Sequence, residues 1–113
     1  MHEYSIVQAL VERVEAEARA RQATAVHRLS VSVGELSGVE VELLLTAYST
    51  FRDRTICEHA ELDVQRVSAR WECPRCQRAI ESGAMLQCVT CAAPATLVAG
   101  GEIMLDQIEM EVP

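Results

Sequence analysis

Lysine is missing from this chain. Its ten basic residues are all arginines, set against seventeen acids for a net charge of −7. No segment gathers those arginines into a basic stripe, so phosphate-backbone binding lacks its main energy source and nucleic acid is excluded as a partner. Aromatic residues are scarce too: one Trp, two Tyr and one Phe in 113 residues. A chain this short buries its surface incompletely, and a metal staple would help it fold. No run of about 18 apolar residues occurs, so no membrane span is expected. The N-terminus lacks the basic start of a signal peptide, and Glu12, Arg13, Glu15 and Glu17 interrupt any apolar stretch. The expected location is cytoplasmic. In a reducing compartment the five cysteines read as metal ligands or free thiols rather than disulfides.

The charge is unevenly spread. Residues 1–70 hold eleven acids against eight arginines, residues 71–99 are balanced, and the tail carries Glu102, Asp106, Glu109 and Glu111 with no base. Cations or a basic protein patch suit such a surface.

Half of the residues are apolar, and their spacing sets the architecture. Ile6, Val7, Leu10, Val11, Val14 and Ala18 recur at three- and four-residue steps, which predicts a helix over 4–21. In "VHRLSVSVGEL" Leu29, Val31 and Val33 alternate with Arg28, Ser30 and Ser32, the pattern of a strand with one buried face. Ser37 and Glu40 have capping-box spacing. Behind them Val41, Leu44, Leu45, Tyr48 and Phe51 share one helical face, predicting a helix over 38–53. "AELDVQRV" alternates again. In "GEIMLDQIEMEV" Ile103 and Leu105 are in one phase and Ile108, Met110 and Val112 in the other, which predicts a β-bulge or a bend near Asp106–Gln107. The fold expected is α+β: a two-layer sandwich of two helices on a three-stranded sheet. A cysteine module is inserted between strands two and three. The domains are then 1–70 with 100–113, and 71–99.

"CPRC" and "CVTC" place Cys73, Cys76, Cys88 and Cys91 as C-x2-C-x11-C-x2-C. Each two-residue gap lets a tight turn aim two sulfurs at one ion while backbone N–H groups point at the thiolates. Two such knuckles supply the four ligands of a closed structural Zn²⁺ site. Iron fits the same ligands. A closed site has no open position for water or substrate, so the module is read as structural rather than catalytic. Arg75 and Arg78 would offset its negative charge. Cys57 reads as a small buried apolar residue. His27 and His59 read as ordinary exposed or hydrogen-bonded histidines, and Tyr4, Trp71 and the methionines as packing residues.

"MHE" at the start is uninformative alone, because chain ends fray. Its chemistry is specific, however. The Met1 amine, the His2 amide and the His2 imidazole close adjacent chelate rings, and a near-planar nitrogen set suits Ni(II) or Cu(II).

Taken together, "MHEYSIVQALVERVE", "VGELSGVE", "FRDRT", the two cysteine knuckles and "GGEIMLDQIEMEV" resemble the HypA/HybF family of hydrogenase nickel-incorporation proteins, end to end and in order. The resemblance implies a metallochaperone and not an enzyme. Ni²⁺ is its cargo, delivered to the large subunit of [NiFe]-hydrogenase during maturation, with the GTPase HypB as partner. It also allows urease accessory proteins as partners and a homodimer. It implies that His2 is the essential nickel ligand, completed by the Met1 amine and the amides of His2 and Glu3, with the Glu3 carboxylate in support. Cys73, Cys76, Cys88 and Cys91 match the structural zinc ligands. Some relatives carry histidines beside those cysteines, linked to a pH-responsive zinc site. Here no histidine lies between residues 60 and 113, so that device is not expected. Two rival readings stand beside the chaperone. One is a zinc-ribbon adaptor with His2 idle. The other is a metal enzyme, which lacks any paired His/carboxylate cluster or Gly-rich phosphate loop.

Overall fold

In a computed structural model, which describes residues 2–81 and 85–113, the chain forms two helices and two small sheets. Helix α1 runs His2–Ala20. Val7, Leu10, Val11, Val14 and Ala18 are buried along one face, the stripe the periodicity predicts. Three of those five are valines, which lose rotamer freedom in a helix. Burial against the sheet therefore holds α1 more than intrinsic propensity does. The helix starts two residues earlier than the apolar pattern indicates, so His2 lies inside its first turn rather than ahead of it.

Strand β1 (Ala25–Gly34) is the centre of the main sheet, whose order is β2-β1-β6. Strand β2 (Glu61–Val67) lies parallel to it, and β6 (Ile103–Glu111) antiparallel. A parallel neighbour cannot be reached by a tight turn, and helix α2 (Val41–Phe51) makes the crossover. Leu29, Val31 and Val33 are each at most 3% exposed and meet Val7, Val11, Val14 and Leu44 in one core. Each such side chain contributes about 1.5–3 kcal/mol by leaving water. The predicted phase change in β6 is real. Ser30 faces Gln107 and Val31 faces Leu105, so Asp106 is the extra residue of a bulge. That bulge puts Ile103, Leu105, Ile108 and Met110 against the core despite their mixed phase. A second irregularity, at His27 on β1, was not visible in the sequence.

Among the described residues the other sheet face carries no helix, and it is polar. Arg28 sits there among Asp63 at 2.5 Å, Glu61 at 3.4 Å and Glu109 at 3.5 Å. The Ser32 hydroxyl donates to Asp106.

The predicted capping box does not form. Glu40 is the N-cap residue of α2 and its side chain makes no cap bond. Ser37 instead closes the preceding turn: its hydroxyl donates to the Gly34 carbonyl at 2.7 Å and accepts from the Val39 amide at 3.2 Å. At the far end of α2 the buried Tyr48 hydroxyl donates to the Ala60 carbonyl at 2.9 Å, and burial pushes its pKa up. Cys57 is fully buried beside it, and burial raises its thiol to about 11. It is the inert core residue expected.

The cysteine module forms the second sheet, ordered β4-β3-β5, from β3 (Arg70–Glu72), β4 (Ala79–Ile80) and β5 (Thr96–Ala99). Its two connections meet at the end of β1. The Glu35 amide donates to the Val67 carbonyl at 2.8 Å, and the Leu36 amide to the Gly100 carbonyl at 2.7 Å. The Glu35 carboxylate accepts from the Ala69 amide at 2.7 Å. Backbones pass so closely here that a Cβ on Gly34 would stand 2.3 Å from the Gly100 carbonyl carbon. Gly34→Ala should therefore lower unfolding stability by about 1–3 kcal/mol. Urea denaturation checks this, and an unchanged midpoint would show that the neck yields.

Candidate metal centre

The two knuckles are built alike, residue for residue. In the first, the Cys73 amide donates to the Arg78 carbonyl at 2.9 Å and the Gln77 amide to the Cys73 carbonyl at 2.8 Å. In the second, the Cys88 amide donates to the Ala93 carbonyl and the Ala92 amide to the Cys88 carbonyl, both at 2.9 Å. Gln77 and Ala92 occupy the same place, four residues after the leading cysteine, at φ 62° and 58°. That left-handed backbone turns each chain back on itself at some cost to a residue with a Cβ.

The turns aim amides at sulfur, as the spacing predicts. The Cys73 sulfur accepts from the amides of Arg75 at 3.4 Å and Cys76 at 3.5 Å, and the Cys88 sulfur from that of Cys91 at 3.4 Å. Arg75 thus meets the cluster through its backbone. All four sulfurs lie within 4.8 Å of one another, and the Cys76 and Cys88 sulfurs are 3.7 Å apart. A tetrahedron of sulfurs about 2.3 Å from zinc has edges of about 3.8 Å. The cluster fits a zinc site. Cys73 and Cys88 are buried and Cys76 is exposed.

The protonation balance agrees. The amide of Cys76, then that of Arg75, holds the Cys73 thiol down to about 6. The amides of Cys91 and Thr90 lower Cys88. Cys91 is pushed up to about 12, first by its hydrogen bond with Cys76 and also by burial and the neighbouring thiolates. Such a cluster favours some thiolates and resists the rest until a cation neutralises them, so metal binding releases protons.

The other predicted site is at the start of α1, beside the turn after β1 from which the cysteine module is also held. Met1 lies outside the described residues. His2 is exposed in the first turn of α1. Glu3 is half-buried, and its Oε2 accepts from the Glu40 amide at 3.1 Å. That amide, then Glu3's own, draws the Glu3 carboxyl below the ordinary glutamate value. Glu3 therefore ties the start of α1 to the start of α2, a contact that no local pattern in the sequence reveals. The structure does not bring the Cys57 thiol, His27 or His59 to either site. His27 meets Glu111 at 3.1 Å and His59 meets Glu58 at 3.4 Å, as ordinary surface histidines do.

This arrangement of a small α/β sandwich carrying a four-cysteine ribbon defines a metal-handling protein. A sequence profile described as "Hydrogenase/urease nickel incorporation, metallochaperone, hypA" matches residues 1–110. The chain is 42% identical to the hydrogenase maturation factor HypA of Shewanella baltica, covering 98% of this chain and 97% of that one. It is 37% identical to that of Aquifex aeolicus, with 99% of both chains covered. The solution structure of the Ni metallochaperone HypA from Helicobacter pylori superposes with a TM-score of 0.75 at 30% identity over 98% of both chains. The chain belongs to the HypA family of nickel metallochaperones, which act in hydrogenase maturation and are not enzymes.

Two outcomes are expected at these sites. Cys76→Ser should lose the bound metal while the far-UV signal of α1 and α2 stays, because among the described residues the cluster shares no side chain with the main core. Elemental analysis and circular dichroism check this. A helix signal that falls with the metal would make the module a support for the whole fold. The second outcome concerns acid. A carboxyl whose pKa is lowered on folding stabilises the fold above its unfolded value, and the contribution is lost as pH falls through the folded value. The Glu40 amide resonance should therefore move with the Glu3 titration, below the ordinary glutamate range. An acid titration that leaves that resonance still would remove the contact.

Proposed function

We propose that this chain carries Ni(II) at its N-terminus and delivers it to the large subunit of [NiFe]-hydrogenase, with the GTPase HypB as partner. The cargo ligands are the Met1 amine, the His2 amide and imidazole, and the Glu3 amide. Cys73, Cys76, Cys88 and Cys91 hold a structural zinc. On this reading residues 1–70 with 100–113 form the nickel-binding domain, and residues 71–99 the zinc-binding domain. The work is cytoplasmic; urease accessory proteins and a homodimer extend the same scheme.

The observation that carries the proposal is that α1 begins at His2. The first four amides of a helix have no intrahelical acceptor. Giving the His2 and Glu3 amide nitrogens to a metal therefore breaks no helix hydrogen bond. The Glu3 carboxylate, held by the Glu40 amide, anchors the turn from which those ligands project. Four nitrogens in a plane suit Ni(II). The positive end of the helix dipole works mildly against a cation, which favours release.

Protons compete for the same nitrogens, so affinity falls as pH drops. Titration calorimetry of the untagged protein and of His2→Ala tests the assignment. Native protein should bind one nickel and lose it in mild acid, and His2→Ala should bind none while keeping its zinc. Equal nickel binding by both would leave a zinc-ribbon adaptor.

A further inference from the structure

Beside the start of α1 the two helices leave a groove of about 260 Å³, lined by Glu3 and Tyr4 of α1 and by Leu43, Thr46, Ala47 and Thr50 of α2. Leu43 is 54% exposed and Tyr4 40%. The α2 residues fall at i, i+3, i+4 and i+7, one continuous stripe. It lies away from the stripe of Val41, Leu44 and Tyr48 that enters the core. A surface helix of a closed domain puts polar residues there. Even the two threonines are turned aside: their hydroxyls donate to the Glu42 carbonyl at 3.0 Å and the Thr46 carbonyl at 3.3 Å. The Tyr4 ring is braced edge-on against Phe51 with centroids 5.4 Å apart, so the groove is preformed.

Its charge selects the occupant. Glu3 of α1 lies at one end, with exposed Glu40 and Glu42 at the start of α2, and Arg66 meets Glu42 at 3.4 Å. A second copy of a chain of charge −7 would press acids against acids. A partner with a basic rim is complementary.

We infer that this groove seats an apolar side chain of the hydrogenase large subunit, the protein that takes the nickel, with that protein's arginines or lysines facing Glu3, Glu40 and Glu42. The inference rests on His2 as cargo ligand. Ligand exchange requires the recipient's donor atoms to reach the ion, so the recipient covers the surface adjoining His2, and the groove begins at the next residue.

The test uses Leu43→Gln, a neutral change at an exposed helix position, with Ala47→Gln as a second variant should the first misfold. Purified HypB and the hydrogenase large subunit are the probes, titrated by calorimetry at several salt concentrations. Leu43→Gln should weaken binding of the large subunit about tenfold or more, as loss of an apolar anchor does, with zinc content and nickel stoichiometry unchanged. Glu40→Gln should flatten the salt dependence. A large-subunit affinity within about twofold of native would overturn the inference, and an effect on HypB alone would do the same by making HypB the occupant. So would a native dimer that Leu43→Gln dissociates in sedimentation, which would make the occupant a second copy. Nickel retained by His2→Ala would instead sink the cargo assignment, whatever Leu43→Gln does.

Discussion

Strand β1 is hydrogen-bonded along both edges, and that double pairing organises the molecule. Its parallel partner β2 demands a crossover, which lays α2 over one sheet face. Its antiparallel partner β6 comes last in the chain, so everything between β2 and β6 must leave the sheet and return. The cysteine module is that excursion. Both of its connections are gripped where β1 ends, through Glu35, Leu36 and the close passage of Gly34 and Gly100. The same turn leads within a few residues to Glu40, whose amide holds Glu3. The end of one strand thus fixes the root of the zinc-fitting module and the start of α1.

Side-chain periodicity made much of this readable. Both helices, all three main strands and the bulge at Asp106 follow from where apolar residues recur, because burial on one face is what those elements have in common. What escaped depends on backbone geometry or on distant partners. The parallel sense of β2 leaves no mark in an alternating strand. The irregularity at His27 falls where the side-chain pattern is weak. Ser37 and Glu40 have the spacing of a capping box, yet Ser37 is drawn to the Gly34 carbonyl, and an acid from another helix meets the amide of Glu40. Tertiary contact overrode a local motif there, as it does when both offer a partner to the same donor.

The cysteines were legible for a different reason. Their chemistry fixes spacing tightly: two residues between sulfurs is what a single turn allows if amides are to face them. The structure adds that the turns are near copies, down to a left-handed residue in the same place. No sequence rule required Gln77 or Ala92 there, since glycine would suit the backbone better.

The two metal positions differ in what their ligands cost the fold. At the cysteine cluster, ligands from two knuckles eleven residues apart must converge, so a cation held there would close a loop and its loss would release the module. On the proposed reading, the nickel ligands come from consecutive residues at a helix start, whose amides have no acceptor within the helix. Removing that ion unfolds nothing. A carrier needs this asymmetry, because cargo that also held the fold together would be given up only at the cost of folding free energy. Selectivity must then arise elsewhere: a nitrogen site of this kind prefers Cu(II) to Ni(II). The fidelity of delivery falls to which metal the cell makes available and which protein docks beside His2.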